Sequence, residues 1–322
     1  GMGALQYYPA YDHNFDRSVA VEITELVALA QNVMAEKLAL DVHIGSTDNI
    51  NSEAILDILR VGTSAGGARP KAIIAMNAEG HILSGQATAP SGYDYWLLKF
   101  DGVTDLELGV PRGYGRIEYA YYLMAKAAGI TMMECRLLEE NARAHFLTKR
   151  FDRQNNEKIH VHSLCGIAHY DFNMAGAYSY EQLFSIMRKL RLDKAEIAEQ
   201  YRRMVFNVIA CNQDDHTKNI AFFMDSKGNW HLTPAFDVMY SHNPHGKWTN
   251  QHQMSINGKC AHFTLDDLVI VGESAGIPRP IEIIQDVGNA VEKWSECSQV
   301  AGVTKNVSDE ISQYHRLTML NA

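Results

Sequence analysis

The stretch NQDDHTKNIAFFMDSKGNWHLTPAFD, residues 212 to 237, gathers carboxylates, amides and a histidine in an order with chemical use. Asn219 follows Asp214 by five residues, and Asp237 comes after an alternating, hairpin-like segment. Transfer of a phosphoryl group asks little covalent chemistry of a protein. It needs a cradle for phosphates, a cation on them, metal ligands, and a carboxylate near the attacking hydroxyl. Asp214 would orient or deprotonate that hydroxyl. Asn219 and Asp237 offer the hard oxygens that Mg²⁺ prefers. Taken alone, DDHTKN also reads as a solvated turn or helix cap; the further Asp beyond a hairpin weighs against that reading.

The Asp-to-Asn step equals that of the protein-kinase loop H-R-D-x-x-x-x-N. Two upstream segments fit the same chemistry. GTSAGGARPK, residues 62 to 71, lacks Walker A spacing, because Lys71 does not directly follow a glycine and no Ser or Thr follows it. Its small residues, Gly66 and Gly67 among them, would still let backbone N–H groups approach phosphate oxygens. Thr63 and Ser64 are candidate phosphate-contacting or phospho-acceptor groups, though a plain flexible loop explains the segment about as well. Lys99 sits in the apolar strand YWLLKF, where an ammonium needs a partner or a ligand. It would meet nucleotide phosphates, paired with Glu118 of the following helix; the alternative is an edge-strand lysine whose stem snorkels to water. A competing chemistry is zinc, since HVHSLCGIAH brings His160, His162, Cys165 and His169 close in sequence. That spacing matches no closed zinc module.

These residues need elements to position them. In the first half, periodicity predicts helices over 17–37 and 51–62, a strand through KAIIAM, a turn at Glu79-Gly80 and a returning strand. YWLLKF adds a strand, RIEYAYYLMAKAAGI a helix closed by Gly129, and TMMECRLL with AHFLTKRFDR a strand pair. Beyond residue 150 the texture turns helical: SYEQLFSIMRKL, DKAEIAEQYRRMVFNVIACN, TLDDLVIVGESAG, PIEIIQDVGNAVEKWSECSQVA and VSDEISQYHRLTML, with one hairpin turning at SKGN. The expected architecture is α+β and bilobal: a strand-rich lobe over 1–150 and a mostly helical lobe over 151–322, with a nucleotide in the cleft.

With 322 residues, 46% hydrophobic and 21% charged, the chain can bury a sizeable core. A formal net charge of −9 disfavours direct nucleic-acid binding through bulk electrostatics. Five scattered cysteines with no CxxC pair fit a reducing compartment. No apolar run reaches membrane-spanning length and no signal pattern opens the chain, so a cytoplasmic protein without membrane contact is expected. Gly1 ahead of Met2 reads as a cleavage scar.

Together, CNQDDHTKNIAFFM and HLTPAFDVMYS, preceded by GTSAGGARPKA, WLLKF, GRIEYAYYLMAKAAGI and KRFDR, closely resemble the HipA-like serine/threonine kinases of bacterial toxin–antitoxin systems. The match runs in unbroken order along almost the whole chain. The resemblance implies that Asp214 is the catalytic base of a D-x-H-x-x-N motif containing His216. It makes Asn219 and Asp237 the Mg²⁺ ligands and Lys99 the ATP lysine. Arg150 and Phe151 fall where the family's interlobe hinge approaches the adenine; Lys149 stands where some members carry an acidic residue. Ser64 falls where members carry an autophosphorylated serine. By the same resemblance the substrate is a protein, plausibly of the translation machinery, and an antitoxin with a DNA-binding domain is the expected partner. Family members usually begin with a small additional N-terminal subdomain; here it is expected to have been cut away or supplied by another chain. The alternative is a kinase-shaped module inactive in transfer, acting as a scaffold or co-repressor with an antitoxin.

Overall fold

The computed structural model describes residues 3–5, 23–24, 26–27, 70–85, 87–101, 113–154 and 156–321. Thr63, Ser64, Gly66, Gly67 and the helix expected over 51–62 lie outside the described residues. The fold is mixed α+β, and the chain divides into two compact units: Gly1–Tyr119 with Glu134–Lys158, and Ala120–Met133 with Ile159–Ala322.

The first unit is built on a five-stranded antiparallel sheet. Its strands are β1 (Lys71–Met76), β2 (Ile82–Ser84), β3 (Asp94–Lys99), β4 (Cys135–Glu140) and β5 (Arg143–Lys149), in the order β2-β1-β3-β5-β4. Side chains alternate across a strand, so the register assigns the faces. Ala72, Ile74, Met76, Trp96, Leu98 and Leu147 make one apolar face with Leu26 and Val27. Lys71, opposite Lys99 in the β1–β3 pair, lies on the other. β1 is buried at all six positions. That is why KAIIAM reads as a continuous apolar run rather than an alternating one.

Helix α1 (Tyr114–Ala127) follows β3. Its second residue must be glycine: a Cβ on Gly115 would stand 2.0 Å from the backbone oxygen of Ala144 in β5. This close approach sets Glu118, one turn on, beside the sheet. Gly129, at φ +78, ends the helix in the left-handed conformation that glycine adopts without penalty.

After the short ribbon of β6 (Arg153–Gln154) and β7 (Glu157–Lys158), the second unit runs through β8 (His160–Ser163), α2 (Leu164–Ala168) and β9 (Tyr178–Ser179), and β8 joins the expected hairpin of β10 (Ala221–Met224) and β11 (Trp230–Leu232) in a three-stranded antiparallel sheet. The helices are capped from sequence. Ser179 opens α3 (Tyr180–Lys189), Asp193 opens α4 (Lys194–Ile209) and Thr264 opens α5 (Leu265–Ser274), each with a reciprocal capping box. One expected helix is two, Pro280–Val291 and Trp294–Val300. There the Trp294 indole N–H is drawn to the Ser308 carbonyl at 3.0 Å and its ring lies against Tyr121 and His315, so tertiary packing overrides the helical period.

Candidate active site

In the first unit, Lys99 and Glu118 form a buried ion pair, with the two side chains 7% and 2% exposed. Lys99 is therefore no snorkelling edge residue. Lys71 is also buried, 4% exposed, and faces the same side of the sheet. Arg150 follows β5, and its guanidinium grips Asp152 bidentately, Nε to Oδ1 at 2.8 Å and Nη2 to Oδ2 at 2.6 Å. Arg153 and the Gly3 N–H also donate to Asp152. Burial pushes the Asp152 carboxyl up, but the Arg150 hydrogen bonds and the two guanidinium charges prevail and hold it below its ordinary value. This cluster gave no signal in the sequence reading, although R-F-D-R carries the needed charges.

In the second unit, α4 ends in a left-handed turn with Cys211 at φ 58, and the Asn212 N–H returns to the Asn207 carbonyl at 2.9 Å. This is the Schellman pattern with cysteine where glycine is usual. The loop that follows is pinned on several sides. The Gln213 N–H donates to Ser241 O at 3.0 Å, the Cys165 N–H to Thr217 O at 3.0 Å, and the Leu164 N–H to Ile220 O at 2.7 Å. The Thr217 hydroxyl donates to Tyr170 O at 2.9 Å.

The adjacent aspartates have opposite surroundings. Asp214 is half-exposed, its side chain 44% accessible. Asp215 is 2% exposed and accepts three hydrogen bonds: from the Tyr180 hydroxyl at 2.9 Å, His252 Nδ1 at 2.8 Å and the Gln253 N–H at 2.8 Å. Arg316 can only donate, so its contact with His252 Nε2 at 3.0 Å places the ring proton on Nδ1, toward Asp215. Arg316 also donates to Val208 O at 2.9 Å. A chain Asp215–His252–Arg316, buried at its first two members, thus ties the loop to the C-terminal segment. The sequence reading missed it; the doubled Asp was the available signal.

Asp214, Asn219 and Asp237 come together around a small recess of about 30 Å³, lined also by Gln200, Arg203, Asn207 and Asn212. Asn219 Nδ2 donates to Asp214 O at 2.8 Å, which settles the amide's orientation. Asp237 is delivered by the hairpin: the Thr233 N–H bonds Ala221 O at 3.1 Å and the Ala235 N–H bonds Thr131 O at 2.8 Å. Asp237 itself has φ 52, a left-handed conformation that Asp tolerates better than most residues. His216 Nε2 is 3.9 Å from Asp214 Oδ1, beyond hydrogen-bond reach. Its ring packs edge-on against Phe172, with centroids 5.7 Å apart.

The lining tests whether a hard cation fits. Three aspartates line the recess and Asp215 is taken up by its own hydrogen bonds; Asp214, Asp237 and several amide side chains around room for one or two water-sized groups form a donor set that suits Mg²⁺ with part of its hydration retained. Among the described residues no group of three or more His, Cys, Asp or Glu side chains could hold a metal ion, so such a cation would rest on Asp237, the Asn219 amide and water, with Asp214 left beside it as a base. The zinc reading gains no such gathering either. His160 and His162 instead pack edge-on with Trp230 beside them. Burial raises Cys135 to about 12 and pushes Cys211, Cys260 and Cys297 upward, so none of these is an activated thiol.

Residues 63–294 match the family model described as the HipA-like C-terminal domain. The curated protein "Putative kinase Y4dM" of Sinorhizobium fredii is 23% identical over 204 residues, covering 58% of this chain and 47% of that protein. The chain thus spans about half the length of the curated relative it matches. Among solved structures, a chain of the Shewanella oneidensis MR-1 toxin–antitoxin complex of HipA, HipB and operator DNA aligns with a TM-score of 0.64 at 15% identity, over 99% of this chain and 74% of that one. At that identity the likeness is one of fold. With the family model covering well over half of the sequence, the chain belongs to the HipA-like C-terminal domain family.

Proposed function

We propose that the protein is an ATP- and Mg²⁺-dependent serine/threonine protein kinase, the toxin component of a toxin–antitoxin pair. The observation that carries this reading is the grouping of Asp214, Asn219 and Asp237 around one recess. Family membership and the similarity to a protein named as a kinase add to it. The acceptor hydroxyl oxygen bonds to the γ-phosphorus, the bond from that phosphorus to the bridging oxygen breaks, and the hydroxyl proton passes to the Asp214 carboxylate. Asn219 and Asp237 would hold Mg²⁺, which would neutralise phosphate charge when bound. Lys99, kept in place by Glu118, takes the α- and β-phosphates, and Lys71 adds a second cation on the same sheet face. His216 positions the loop through Phe172. Since Asp152 occupies the Arg150 guanidinium, the adenine contact of this stretch falls to the main chain and Phe151.

The substrate is a protein, in keeping with the HipA resemblance, with the translation machinery the first place to look. Ser64 is the candidate autophosphorylation site on sequence grounds alone. The partner is an antitoxin, by analogy with the complex to which the fold is similar. Among the described residues no helix is long and apolar enough to cross a membrane, and five free cysteines fit a cytoplasmic setting.

The test is intact mass after incubation with ATP and Mg²⁺, for the wild type and Asp214→Asn. Wild type should gain phosphate on itself or on added protein. Asp214→Asn should lose transfer by about 100-fold or more, the usual worth of a general base, while still binding ATP. ATP binding without transfer by the wild type would leave the inactive binding module standing instead.

A further inference from the structure

The segment that delivers Asp237 is gripped from one face of α4, where Glu196, Glu199 and Arg203 recur at i, i+3 and i+7. The Leu232 N–H donates to Glu196 Oε1 at 2.8 Å, and Arg203 Nη1 donates to Thr233 O at 2.9 Å. Arg203 also meets Glu199, Nε to Oε1 at 2.9 Å and Nη2 to the same oxygen at 2.8 Å. That oxygen accepts the Thr131 N–H at 2.9 Å, and the Thr131 carbonyl accepts the Ala235 N–H at 2.8 Å. Arg203, Glu199, Thr131, Ala235 and Thr233 thus close a ring, and Asp237 stands two residues beyond it. On the far side the Ser241 N–H donates to Cys211 O at 3.2 Å. Asp237, at φ 52, is set between these two anchors.

The pair is largely withdrawn from water, with the Arg203 and Glu199 side chains 11% and 16% exposed. An ion pair so placed adds little stability over apolar side chains of the same size, because desolvation offsets its attraction. What a guanidinium supplies is direction: its planar fork fixes a carboxylate and a carbonyl at once. Arg203 also lines the recess with Asp214, Asn219 and Asp237. An uncompensated positive charge there would oppose a metal ion, and Glu199 cancels it.

Resting on the magnesium reading above, we propose that Arg203 and Glu199 are positioning residues: they hold residues 233–235 so that Asp237 presents its carboxylate to the divalent cation. Neither side chain touches the reacting atoms. Loss of outer support of this kind weakens metal affinity by about 10–100-fold where it acts on a ligand directly. Acting through two residues of main chain, the pair belongs at the lower end of that range.

The experiment is titration of the full chain with Mn²⁺, followed by electron paramagnetic resonance, with melting temperatures of the metal-free proteins alongside. The variants are Arg203→Lys, the double variant Arg203→Met with Glu199→Gln, and Asp237→Asn. The double variant should bind Mn²⁺ about tenfold more weakly. It should melt close to wild type, because a buried ion pair replaced by neutral groups of similar size costs little. Arg203→Lys, which keeps a charge for Glu199 but not the fork, should also bind more weakly. Asp237→Asn should lose saturable binding. Mn²⁺ affinity within twofold of wild type in the double variant, with Asp237→Asn deficient, overturns the proposal while leaving the metal site intact. Affinity lost only in variants whose melting temperature collapses reduces the pair to a structural role and overturns it as well. No saturable binding by the wild type removes the metal site, and the proposal with it. If the double variant does not fold, Arg203→Lys carries the comparison.

Discussion

Replacing Asp215 by alanine strands three buried donors: the Tyr180 hydroxyl, His252 Nδ1 and the Gln253 N–H. Each unsatisfied buried group costs about 1–3 kcal/mol. The Tyr180 hydroxyl keeps its contact with Asn207, which lessens its share. Removing one member of a buried charged network costs about 3–5 kcal/mol, so about 4 kcal/mol is the expected loss. At about 2–4 °C per kcal/mol for a domain of 150–250 residues, the melting temperature should fall by about 8–16 °C. Asp214→Ala, at a half-exposed side chain, should change stability by no more than about 0.5 kcal/mol. Thermal melts and urea denaturation of the two variants side by side make the assay. A melting temperature for Asp215→Ala within 2 °C of wild type, or an Asp214→Ala variant that falls as far, would refute the division of labour between anchor and base.

Gly115→Ala should be strongly destabilising, because its Cβ meets main chain at 2.0 Å and α1 must move off the sheet. A wild-type urea midpoint would count against that close approach. His315 is held at about 4 by burial, below its ordinary value. The unfolded chain then takes up the proton first as pH falls. The stability this histidine contributes is full above about pH 6.5 and is lost as pH drops toward 4, about 2 kcal/mol of it by pH 5. His315→Phe should therefore flatten the fall in melting temperature between pH 7 and pH 5, with Tyr121 still bonded to Ala210 O; an unchanged slope would exclude His315 as its source.

Much of the local structure could be read without coordinates. KAIIAM and YWLLKF became β1 and β3, the SKGN turn closed its hairpin, and helices formed within SYEQLFSIMRKL, DKAEIAEQYRRMVFNVIACN and TLDDLVIVGESAG as expected. These features depend on neighbours a few residues apart, and periodicity and capping record such neighbours directly. The chemistry of DDHTKN was visible in the same way, as residue types at a spacing. The strand β8 was not foreseen, since HVHS is too short and too polar to announce itself before β10 supplies its hydrogen bonds.

The roles of adjacent residues belonged to the tertiary structure. Asp214 and Asp215 are chemically identical and stand side by side. One became the exposed candidate base and the other a buried anchor, because Tyr180, Gln253 and His252 arrive from distant segments. The pairing of Lys71 with Lys99 is a matter of sheet register, and the contact of Lys99 with Glu118, expected from sequence, is made on a helix that comes close to β5 at Gly115. Composition and spacing determine which groups the chain can offer. Long-range packing decides which are withdrawn from water, and there an unpaired charge or oxygen becomes costly enough to require a partner.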